Sequence, residues 1–178
     1  IPSISETDLS GDFDTSGEAD NTVISGLQHK YPQTALILST HRCAMYCRHC
    51  FRKRLVGISD DETADNVAEM AAYVNARSEI SNILISGGDA FVNSNQVIAQ
   101  YLEHFTPIPH LDLIRFGTRT PVVLPERIYD DHELLDILKT YTQKKQIYVV
   151  TQFNHPKELT DHARKAVKTL LDAGVIVK

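Results

Sequence analysis

Residues 39–54 read Ser-Thr-His-Arg-Cys43-Ala-Met-Tyr-Cys47-Arg-His-Cys50-Phe-Arg-Lys-Arg, and they follow the strand-like run Ala35 to Thr40. A strand leading into three closely spaced thiols is a loop built for chemistry. The three cysteines of the chain fall within eight residues. An odd, clustered set is a poor disulfide framework and fits a reducing compartment and a metal. Thiolates are soft ligands suited to iron–sulfur clusters or zinc. Three of them in the pattern C-x3-C-x2-C can hold three irons of a [4Fe–4S] cube and leave the fourth iron open. An electron-transfer cluster would want a fourth Cys, which this chain lacks. Two other readings stay open on the residues alone. One is a Cys3His zinc site using His41 or His49. The other is a helix face of small apolar residues, which the charged flanks Arg48, His49, Arg52, Lys53 and Arg54 argue against.

Outward from the cysteines, strand and helix patterns alternate. Helical spacing covers about 60–78, through Val67, Met70, Ala71 and Val74, with Asp60 or Asp61 as candidate caps. An apolar strand from Asn82 to Ser86 ends in Gly87-Gly88-Asp89. A helix is expected over about 93–105, a strand over Leu113 to Gly117 and a loop over 121–129. A third helix is expected over about 131–142, and a fourth strand from Gln146 to Phe153. A helix over about 158–173 ends at Gly174, and Val175 to Val177 open a fifth strand. The fold class is therefore α/β, a parallel sheet with crossover helices covered on both faces. In such a sheet the segments Thr40–Arg54, Gly87–Asp89, Gly117–Arg119 and Gln152–His155 gather at the carboxyl end of the strands, where active sites sit.

Composition narrows the function classes. The net charge of −5 is carried by residues 1–22, which hold six acidic residues and no Lys or Arg; the remainder is close to neutral at +1. That excludes a global case for a nucleic-acid partner. No apolar run approaches the roughly 18 residues of a membrane span. Residues 1–26, rich in Ser, Asp, Thr and Gly, read as an acidic arm or linker, and residues 27–178 as one core domain. Ile1 reads as a processed, trimmed or internal start, and the end of the chain inside a strand reads as an incomplete core.

The string STHRCAMYCRHCFRKR resembles the radical SAM (S-adenosylmethionine) superfamily, and within it the lysine 2,3-aminomutase family. His29–Pro32 (HKYP), Ile83–Asp89 (ILISGGD), Ile114–Ile128 (IRFGTRTPVVLPERI), Gln152–Thr160 (QFNHPKELT) and Leu170–Val175 (LLDAGV) continue the resemblance in order. It implies a partial (β/α) TIM-like barrel of the radical SAM type, truncated after about four β/α units. It implies a [4Fe–4S] cluster on Cys43, Cys47 and Cys50, with SAM on the open iron.

His49 would pack near the adenine of SAM. The motif Ser86-Gly87-Gly88-Asp89 would hold the SAM amino group, and Gln152, Asn154 or His155 would supply further polar contacts. Arg52 would bind a substrate carboxylate, and Arg119 is a second candidate for such a partner. Lys30 and Tyr31 match positions that approach pyridoxal phosphate (PLP). Thr34 stands where the family has a phosphate-gripping arginine, a departure that opens a PLP-independent alternative. The family's Schiff-base lysine and its acidic residues for the distal amine lie beyond Lys178. The resemblance further implies an isomerase acting on a free amino acid or a protein lysyl side chain. It would be cytoplasmic, served by an electron donor such as flavodoxin or ferredoxin, with homo-oligomers possible and no membrane or nucleic-acid partner.

Overall fold

The computed structural model describes residue 11 and residues 14–178. The first part of the acidic arm expected over residues 1–26, including Glu6, Asp8 and Asp12, lies outside the described residues. The end of that segment belongs to the sheet: Thr22–Ile24 (β1) pairs antiparallel with Leu27–Tyr31 (β2). Strand β2 in turn pairs antiparallel with Thr34–Thr40 (β3). From β3 onward the sheet is parallel and strictly sequential, through Asn82–Gly87 (β4), Leu113–Gly117 (β5), Gln146–Val150 (β6) and Ile176–Val177 (β7). The seven strands form an open sheet, as expected of an α/β barrel in part.

Sequential parallel strands joined by crossovers of one hand carry all their helices on one side. Coverage of both faces was expected, and the structure corrects this. Burial alternates along β4 and β5, so one face is dry and the other half-exposed. The dry face stacks in register. Ala35, Ile83, Ile114 and Ile147 form one row, and Ile37, Ile85, Phe116 and Val149 the next. Against them pack Val67–Asn75 (α1), Asn95–Phe105 (α2), His132–Thr142 (α5) and Asp161–Asp172 (α6), through Met70, Val74, Ile98, Leu102, Leu134, Leu138, Ala166 and Leu170.

Several boundaries differ from the periodicity. Helix α1 starts at Val67, capped by Asn66, whose side chain accepts the Glu69 N–H. It cannot start at Asp60 because Ala64 N–H donates to Leu38 O at 2.7 Å, binding that segment to the end of β3. The expected loop 121–129 holds two short helices, Thr120–Val123 (α3) and Glu126–Tyr129 (α4). Pro121 and Pro125 sit at their starts, where a missing N–H costs nothing. Strand β6 stops at Val150, and residues 151–155 run out to the site. Helix α6 begins at Asp161 with Thr160 as its cap, after a separate 3₁₀ turn at Pro156–Glu158. Among the described residues no helix is long and apolar enough to cross a membrane.

Candidate functional site

The loops after β3, β4, β5 and β6 meet at the carboxyl edge around a cavity of about 550 Å³. Its wall includes Cys43, Cys47 and Cys50, His49 and Arg52, Ser86 to Asp89, Arg119 and Gln152. Of the SAM candidates, His155 and Asn154 lie outside this wall. His155 is exposed, and its ring accepts the Lys157 N–H to start the 3₁₀ turn. Asn154 is also exposed, with its backbone N–H bonded to Glu158.

The glycines are shaped by the cysteine loop. Gly87 has φ of +107°, and a Cβ there would lie 2.5 Å from Thr40 O. A Cβ on Gly88 would meet the Arg42 carbonyl. Two backbone bonds fill the space instead, Gly88 N–H to Thr40 O at 2.5 Å and Asp89 N–H to Arg42 O at 2.7 Å. Gly-Gly-Asp and the cysteine loop are thus one packed unit.

Asp89 is buried. It accepts the Phe91 N–H at 3.0 Å, the Thr118 hydroxyl at 2.5 Å and the Arg119 N–H at 2.7 Å. Burial pushes its pKa above the ordinary carboxylate value, against the pull of those donors. The chain itself thus takes three of the roughly four acceptor positions a carboxylate offers. Asp89 ties the ends of β4 and β5 together.

The three cysteines are half-buried and not disulfide-bonded. Burial, then the Asp89 charge and the two other cysteines, push the Cys43 thiol up to about 12. Cys43 is therefore a protonated thiol at neutral pH until a metal displaces the proton. Among the described residues no three His, Cys, Asp or Glu side chains converge closely enough for a single metal ion. A cube binds each thiolate at a separate iron, so it tolerates wider spacing than the tetrahedral zinc alternative.

The two arginines part company. Arg119 lies against the cysteines: Nη1 donates to Cys47 Sγ at 3.0 Å, Nε to Gln152 O at 3.2 Å and Nη2 to Glu158 Oε1 at 3.1 Å. Arg52 is buried, and its Nε pairs with the buried Glu18 at 2.7 Å. Sequence reasoning missed both partners. Glu18 sits in the segment read as an arm, and Glu158 in the segment read as a helix start. The local signal for Glu18 was the turn before it: Asp14 accepts the Glu18 and Ala19 N–H groups at 2.8 and 2.9 Å.

A second cavity of about 230 Å³ lies across Arg52, which lines both. Glu18, Gln28, Lys30, Tyr31 and Thr34 border it. Lys30 Nζ donates to Ser16 O at 2.8 Å, and Tyr31 is exposed. Gln28 Nε2 is buried without a hydrogen-bond partner among the described residues. Thr34 donates to Asn82 Oδ1 at 3.1 Å, the same oxygen that receives Arg115 Nη2 at 2.5 Å.

Comparison with known proteins agrees in kind. Residues 37–177 match the radical SAM superfamily. The chain is 41% identical over 98% of its length to an L-lysine 2,3-aminomutase of Fusobacterium nucleatum, covering 41% of that protein. It is 39% identical over 89% of its length to an L-lysine 2,3-aminomutase of Clostridium subterminale, covering 37% of it. To a glutamate 2,3-aminomutase of Clostridioides difficile it is 37% identical over 92%, covering 38%. The chain spans less than half the length of each of these relatives.

Proposed function

The chain belongs to the radical SAM superfamily, and from that premise we propose that it is the cluster- and SAM-binding part of an aminomutase of the lysine 2,3-aminomutase type. The observation that carries the reading is one cavity lined by all three cysteines and by Gly87-Gly88-Asp89. A radical SAM domain implies a [4Fe–4S] cluster and SAM. When bound, the reduced cluster supplies the electron that cleaves SAM and generates the hydrogen-abstracting radical.

The residues present fit these groups. Cys43, Cys47 and Cys50 offer the three soft donors. Thr151 Oγ1 borders the same cavity, buried and without a hydrogen-bond partner among the described residues, as a polar atom awaiting a ligand would be. His49 offers a ring for the adenine, and the Gly-Gly-Asp turn brings backbone close to the methionyl end. Apolar wall residues such as Val56, Leu84 and Val150 keep water from the reacting atoms.

Arg52, between the two cavities, is our candidate for the substrate carboxylate. Its Nε is held by Glu18, and a guanidinium fork grips a carboxylate bidentately. PLP is assigned to the second cavity by analogy. Lys30, Tyr31 and the unpartnered Gln28 Nε2 suit a phosphorylated aromatic aldehyde. PLP there would supply the amine-carrying chemistry of a 2,3-shift. One observation favours the PLP-independent alternative: Thr34 adds no cation and already bonds to Asn82. The substrate is proposed to be a free amino acid or a protein lysyl side chain. The setting is proposed to be cytoplasmic, with a flavodoxin or ferredoxin type of electron donor.

Anaerobic reconstitution with iron and sulfide is expected to load about four irons per chain, and Cys47→Ser to abolish loading. Reduction of the loaded full-length protein with SAM is expected to release 5′-deoxyadenosine. Zinc without iron after strictly anaerobic purification would sink the reading. A PLP titration followed by absorption separates the PLP-dependent form from the alternative.

A further inference from the structure

Arg119 is a candidate for gripping substrate, and three of the five N–H groups of its guanidinium are engaged inside the protein. Nη1 reaches Cys47 Sγ, Nε reaches the Gln152 carbonyl, and Nη2 reaches Glu158. Its backbone N–H is bonded to Asp89. Glu158 is fixed in turn, since its other oxygen accepts the Asn154 N–H at 2.7 Å. Three side-chain bonds, to the loop after β3 and the segment after β6, and a backbone bond to the loop after β4 fix the guanidinium beside Cys47. It presents a permanent positive charge and an N–H donor to one particular sulfur.

We propose that Arg119, positioned by Glu158 and the Gln152 carbonyl, donates a hydrogen bond to the Cys47 thiolate and raises the reduction potential of the cluster bound there. The inference rests on the reading that Cys43, Cys47 and Cys50 hold that cluster. Its physical basis is simple. Reduction adds an electron to the cluster and to its cysteine sulfurs. A donor aimed at one of those sulfurs, with a fixed positive charge behind it, stabilises the reduced form more than the oxidised one. Glu158 offsets part of the charge but sets the aim, and the three-way fork stops Arg119 from swinging into the cavity. Arg119 is thus a tuning residue for the cluster, acting through the Cys47 sulfur.

The test uses the anaerobically reconstituted protein and the midpoint potential of its cluster, read by electron paramagnetic resonance during a redox titration. Arg119→Gln, which removes the charge and the fork, is expected to cut the reduced-to-oxidised ratio at the wild-type midpoint tenfold, or about 59 mV for one electron. Arg119→Lys keeps the charge but has no fork to span Cys47, Gln152 and Glu158, and is expected to fall between. Unchanged potentials in both variants at full iron loading would overturn the proposal.

A second measurement needs no variant. The iron–cysteine stretching bands of the wild-type protein, in resonance Raman spectra, are expected to shift in D₂O, because the bonded N–H exchanges. Bands that do not move would overturn the proposal even if the variants fail to load. A wild-type protein that takes up no iron–sulfur cluster would instead overturn the cluster reading, and this inference with it.

Discussion

The two faces of the parallel sheet are made from the same strands and behave differently. On the helix-covered face, Ile85, Phe116 and Val149 lie in one register row, each with no exposed surface. On the other, Leu84, Arg115 and Tyr148 lie in register and are half-exposed. Among the described residues, three of the four buried polar atoms without partners lie on or beside this second face, Arg115 Nε, Gln28 Nε2 and Thr151 Oγ1, while the fourth, Thr106 Oγ1, sits at the end of α2. The difference teaches where each kind of work is done. One face holds the fold together through dispersion and burial. The other is left polar and open, and every candidate ligand group lies on its side or at its carboxyl rim.

The largest effect should come from breaking the dry face. Phe116, whose ring packs 5.3 Å from that of Phe91, is expected to cost about 3–5 kcal/mol when changed to Ala. Its opposite-face counterpart Leu84→Ala should cost about 1 kcal/mol, since less surface and no closed cavity are at stake. Equal losses in urea unfolding would break the comparison.

Next comes Glu18→Ala. It leaves the Arg52 guanidinium buried beside no carboxylate, an expected loss of about 3 kcal/mol. Restoring an apolar pair with Glu18→Leu and Arg52→Met together should recover most of that stability while abolishing any carboxylate binding. The two readouts separate the structural from the functional side of one ion pair.

Smaller effects test the helical layer. Asp131 caps α5 through the Leu134 N–H at 2.9 Å, and also accepts from Asn95 and Arg127. Burial raises its pKa, but these partners outweigh it and hold the carboxyl below its ordinary 3.8. Its stabilisation is therefore complete above that ordinary value and fades as pH falls through the lower, folded one. Asp131→Ala should cost about 1 kcal/mol at pH 7, with the gap from wild type closing towards the acid limit of denaturant titrations. The smallest effect is expected for Lys168→Ala. The pair with Asp172 is solvent-exposed, so the change in melting free energy should stay within about 0.5 kcal/mol.

Short-range features of both the fold and the site were legible in the chain. Strand β5 was bounded as Leu113 to Gly117 by its apolar run, and α2 and α5 by their 3.6-residue period. Cys43, Cys47, Cys50, Gly87, Gly88 and Asp89 were legible because spacing and a strand-end position are local properties. The start of α1 was not, because the Ala64–Leu38 bond that displaces it joins segments far apart in sequence. Nor was the bonding of Arg119, whose thiol partner Cys47 lies 72 residues away, or of Glu18, which lies 34 residues from Arg52.

The amino-acid sequence by itself determined the alternation of strands and helices, the thiol spacing and the meeting of four strand-end loops. Those follow from side-chain period and from the direction of parallel strands. Only the tertiary structure decided that the helices cover a single face and that Arg52 divides two cavities. It also decided that the Arg119 guanidinium donates to the Cys47 sulfur. Partner choice for a long charged side chain depends on which loops the crossovers bring within about 3 Å, and no local pattern along the chain encodes that distance.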